Sequence, residues 1–90
     1  MPYIKQERRD KLDPDIAKLR DILWTMDDQA GDLNYVISRL VGGLFFKSPS
    51  YGRIAKLTGI LENVKQEFYR RVAGPYEDEA IKKNGDLPRY

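Results

Sequence analysis

The sequence predicts an all-α fold: a three-helix antiparallel bundle or helical hairpin with a long third helix and a short C-terminal helix after Pro75. Three observations carry this expectation. Apolar residues recur at three-and-four spacing through three separate segments. None of those segments shows the strict alternation of a half-buried strand. Between them stand proline, glycine and small polar residues with helix-capping chemistry. A chain of 90 residues has the length for one small core, so a single helical domain over 1–90 is expected.

Residues 1–12 read as an N-terminal arm. Helix 1 spans 13–27: the Asp13 carboxylate can accept from free backbone amides, and Pro14 fills a first-turn position whose amide needs no partner. Leu12, Ile16, Leu19, Ile22, Leu23 and Met26 then place an apolar stripe on one face. Asp27 to Gly31 break the pattern, and Asp32 sits in the first turn of helix 2, over 31–46, where the helix dipole favours an acid. Leu33, Val36, Ile37, Leu40, Val41 and Leu44 form its buried side, and Gly42-Gly43 weaken its last turns or permit close helix contact. In Ser48-Pro49-Ser50 either serine can cap helix 3, which spans 50–73. Ile54, Leu57, Leu61, Val64, Phe68 and Val72 step by 3, 4, 3, 4 and 4 residues, close to the repeat of packed antiparallel helices. Gly74-Pro75 then predicts a kink or break. A fourth helix over 75–84 starts with Glu77, Asp78 and Glu79, ends with Lys82 and Lys83, and stops at Asn84-Gly85; residues 86–90 form a tail.

Composition narrows the function. The 16 Lys plus Arg against 14 Asp plus Glu give a net +2, which forces no strongly charged partner, and specific DNA or RNA binding is not expected. The chain has no Cys and no His, so it lacks a thiol nucleophile, an imidazole base and the usual zinc ligands. A non-enzymatic role without cofactor or metal follows as the expectation. Glu77, Asp78 and Glu79 are candidates for metal-assisted chemistry, but dipole stabilisation of a first helical turn accounts for the same three acids, and Asp27, Asp28 and Asp32 offer oxygens without the ligand order of a calcium loop. The apolar stretch from Leu40 to Phe46 is far shorter than the ~20 residues of a membrane span, and the first residues lack the apolar run of a secretory signal. A cytoplasmic location is expected.

At 1.5 Å per residue, helix 2 is roughly 24 Å long and helix 3 roughly 35 Å, so pairing them leaves the far end of helix 3, near Phe68 and Val72, uncovered. That end carries Tyr69, Arg70, Arg71 and Tyr76. Guanidinium forks recognise phosphate or carboxylate, and a neighbouring tyrosine can stack on a base. The bland alternative pairs Arg71 with Glu67 one turn earlier, whereas Arg70 points nearly away from the core. Phe68, Val72 and the arm residues Tyr3 and Ile4 are the expected interface of a homo-oligomer, because so small a core gains from a second chain.

Three stretches resemble a family of small proteins from phages, bacteria and archaea classed as a domain of unknown function. They are Met1-Pro2-Tyr3-Ile4-Lys5-Gln6, Gly31-Asp32-Leu33-Asn34-Tyr35-Val36-Ile37, and Glu67-Phe68-Tyr69-Arg70-Arg71-Val72 with Pro75-Tyr76-Glu77-Asp78 and Asn84-Gly85-Asp86. The chain departs from that pattern at Gly74 and in its Leu-Pro-Arg-Tyr tail. The phage setting that the resemblance implies suggests, by analogy with other very small phage proteins, an oligomer that sequesters a nucleotide immune signal. Arg70 or Arg71 would then hold phosphate, Tyr69, Tyr76 or Tyr35 would meet base or ribose, and Asn34 would read a polar edge. The alternative function is a protein-interaction module, an adaptor or inhibitor that lays a helical face on a host or phage protein.

Overall fold

A computed structural model describes residues 4–89. The fold is all-α: α1 (Gln6–Trp24), α2 (Gln29–Lys47) and α3 (Tyr51–Phe68) are followed by a π turn (Tyr69–Ala73) and α4 (Gly74–Asn84), with no strand among the described residues. The chain divides into two units, Met1–Pro49 and Ser50–Tyr90, where length alone predicted one domain. That expectation presumed a common core, yet none of the described residues is buried.

In the first unit α1 starts at Gln6, seven residues before the expected Asp13, so most of the presumed arm is helix. Lys5 is an N-cap without a side-chain bond, but its carbonyl accepts from the amides of Arg8 and Arg9 at 3.0 and 3.1 Å. Further links tie down this first turn: Gln6 Nε2 donates to Asp10 Oδ1 at 2.8 Å, and Arg9 Nε donates to the Ile4 carbonyl at 2.7 Å. Pro14 therefore lies inside the helix. It removes one amide donor, and the turns on either side keep the helix running. The helix ends at Trp24, before the expected residue 27, where Thr25 donates through both its amide and its hydroxyl to the Ile22 carbonyl at 3.1 and 2.8 Å.

The start of α2 is also earlier than Asp32 alone suggested. Asp28 is the N-cap, its Oδ1 accepting from the Gly31 amide at 3.0 Å, which satisfies one of the free first-turn donors. A Cβ on Gly31 would lie 2.6 Å from Asp28 Oδ2, so a side chain there would oblige the capping carboxylate to shift. α1 and α2 are both 19 residues long and form a hairpin through the short turn between Trp24 and Gln29.

In the second unit Ser50, and not Ser48, caps α3: its hydroxyl accepts from the Arg53 amide at 3.0 Å. Of the kink or break expected at Gly74-Pro75, the break does not occur. The helix widens instead, the Gly74 amide reaching back five residues to the Tyr69 carbonyl, and Ala73 and Gly74 keep helical dihedrals (φ −67°, ψ −44° and φ −58°, ψ −56°). A proline ring clashes with the carbonyl four residues earlier, here that of Arg71. A wider turn separates the two and costs register in place of continuity. Tyr51–Asn84 is consequently one helical arm, about 50 Å long at 1.5 Å per residue. It stops at Gly85, whose φ of 89° suits the glycine that the Asn84-Gly85 pair supplies.

The Asp28 cap generates a thermodynamic cycle as a test. Asp28→Ala is expected to lower hairpin stability by about 0.5–2 kcal/mol. Gly31→Ala should bring none of alanine's ~1 kcal/mol helix advantage in the native chain and recover it once Asp28 is already alanine. Thermal unfolding of the four chains by circular dichroism reads both effects; an equal gain in both backgrounds would refute the steric coupling.

Candidate functional site

Helical spacing sets the geometry at Tyr69-Arg70-Arg71. Residues three and four apart share a helix face, so one carboxylate at Glu67 can reach both arginines. Arg70 Nη2 lies 3.1 Å from Glu67 Oε1 and 3.2 Å from Oε2, and Arg71 Nε lies 2.7 Å from Oε1. The Arg71 pair is the one the sequence anticipates. Arg70, expected to point away, turns back to the same half-buried carboxylate, so the two arginines converge where separate faces were expected. Each of these pairs is worth about 0.3–0.5 kcal/mol when exposed. Together they leave a local charge of about +1 instead of +2.

Beside them runs a shallow groove of about 450 Å³ lined by Glu62, Lys65, Gln66, Tyr69 and Arg70. Gln66 Nε2 donates to Glu62 Oε1 at 3.1 Å, and Lys65 Nζ lies 3.5 Å from the same oxygen. The Gln66 hydrogen bond first, then the Lys65 charge, hold the Glu62 carboxyl below the usual carboxylate range. Both cations on this groove thus face an acid of their own helix. Tyr76 does not join Tyr69: it lines a separate depression of about 260 Å³ with Glu79, Ala80, Lys83 and Asn84.

Asn34 and Tyr35 belong to the other unit and are engaged along α2. Asn34 Oδ1 accepts from the Ser38 hydroxyl at 3.4 Å. The Tyr35 hydroxyl accepts from Arg39 Nη1 at 2.7 Å, with the guanidinium 5.6 Å from the ring centroid. Of the expected interface, Phe68 and Val72 are exposed and Ile4 is half-buried, while Tyr3 lies outside the described residues. Among the described residues no three His, Cys, Asp or Glu converge as metal ligands, Glu77, Asp78 and Glu79 included.

An apolar groove lies outside the expected sites. A groove of about 480 Å³ runs between α1 and α2, lined by Ile16, Leu23, Trp24, Leu33, Ile37 and Leu40 among others. Most of these residues are in the two stripes that the periodicity identifies as core. Trp24 falls outside the apolar stripe that the spacing defines on helix 1. The available signal was its solitude as the one tryptophan and its spacing from Arg20, which stacks over it at 5.5 Å and pairs with Asp21 at 3.1 Å.

The family described as Domain of unknown function (DUF6899) matches residues 1–87, so the chain belongs to that family. No curated protein and no solved structure matches the chain.

If Pro75 causes the π turn that carries Tyr69, Arg70 and Arg71, replacing it should remove the turn. Pro75→Ala restores an amide donor, so the turn should tighten to ordinary α geometry and the arm should gain about 1–3 kcal/mol of helix stability. The Gly74 amide would then bond to the Arg70 carbonyl instead of Tyr69, a change visible in backbone NMR couplings. A π turn that survives the substitution would assign its origin elsewhere.

Proposed function

We propose that this member of the DUF6899 family is a non-enzymatic binding module that works by docking the apolar faces of its helices on another polypeptide. One observation carries the reading: among the described residues none is buried, while large hydrophobics along all four helices, from Leu12 to Ile81, lie open. Burial of an apolar face, more than intrinsic propensity, is what normally holds protein helices such as these of 18 and 19 residues. The sequence supports the non-enzymatic part through its lack of His and Cys. No helix among the described residues is long and apolar enough to cross a membrane, so the open faces are not read as lipid-facing spans.

A second reading, binding of an anionic small ligand by an oligomer, draws support from Lys65, Tyr69 and Arg70 along one groove. In the phage setting suggested by the sequence resemblance, the ligand would be a nucleotide immune signal, held by sequestration. Glu67 competes with such a ligand for both guanidinium groups, which makes this the weaker of the two readings.

The module reading predicts that dilute chain binds an apolar fluorescent dye strongly and loses that signal stoichiometrically when its partner polypeptide, a second copy or a foreign chain, covers the helices. A chain that melts cooperatively as a dilute monomer without taking up dye would remove it. The ligand reading predicts that a panel of linear and cyclic nucleotides contains one that raises stability by about 2.7 kcal/mol at 100 times its dissociation constant. Glu67→Gln should tighten that binding. A flat melting response across the panel in both chains would eliminate it.

A further inference from the structure

We draw no further inference here: the strongest candidate, the exposed apolar face of α3 along Ile54, Leu61, Val64 and Phe68, has a three-and-four spacing that α1 and α2 also carry, and nothing in the structure shows what covers it.

Discussion

Helices of this length do not persist in water on hydrogen bonds alone; they persist when an apolar stripe leaves solvent. Every element here carries such a stripe, and within the described residues none of it is buried. The missing burial is the constraint from which the rest follows. Caps, turns and ion pairs contribute about a kilocalorie each at most positions, so they select where helices start and stop without supplying what keeps the helices folded. Most of the stabilisation has to come from a surface that the stripes meet.

That constraint also orders the candidate sites. The Tyr69-Arg70-Arg71 stretch has charge but little enclosure, and its guanidinium groups share the Glu67 carboxylate. The α1–α2 groove has apolar area, an exposed tryptophan and one cation, Arg20, which pairs with Asp21. Desolvated aromatic anchors dominate binding energies, whereas rim charges mainly steer. The groove therefore offers more apolar surface to cover than the arginine pair does.

Much of this was legible in the residues, and where it was not the reason is physical. The all-α class, the Ser48-Pro49-Ser50 start and the Gly85 stop follow from short-range chemistry that acts within one turn. Both prolines misled in the same direction. Asp13-Pro14 reads as a helix start and Gly74-Pro75 as a kink or break, yet in each case the chain stays helical, once by continuing unchanged and once by widening. Local signals state a preference and not its outcome when neighbouring turns are strong. The Arg71 pair with Glu67 was readable from four-residue spacing. Arg70 was misplaced because a wheel position ignores a long side chain's freedom to reach back. Trp24 stands outside the stripe of Leu12, Ile16, Leu19, Ile22, Leu23 and Met26, so three-and-four spacing gives it no weight although it lines the groove.

The wide turn at Tyr69–Ala73 has a bearing on how such a chain can vary. A π turn takes up one surplus residue within itself, so everything beyond it lies about 100° behind where an uninterrupted α-helix would put the same residue number. Deletion of a single codon here would remove the surplus and return the stretch to ordinary α geometry, with Tyr76, Glu77 and the rest of α4 on the side they already occupy. The segment is thus a place where the chain can shorten by one residue without turning its C-terminal helix.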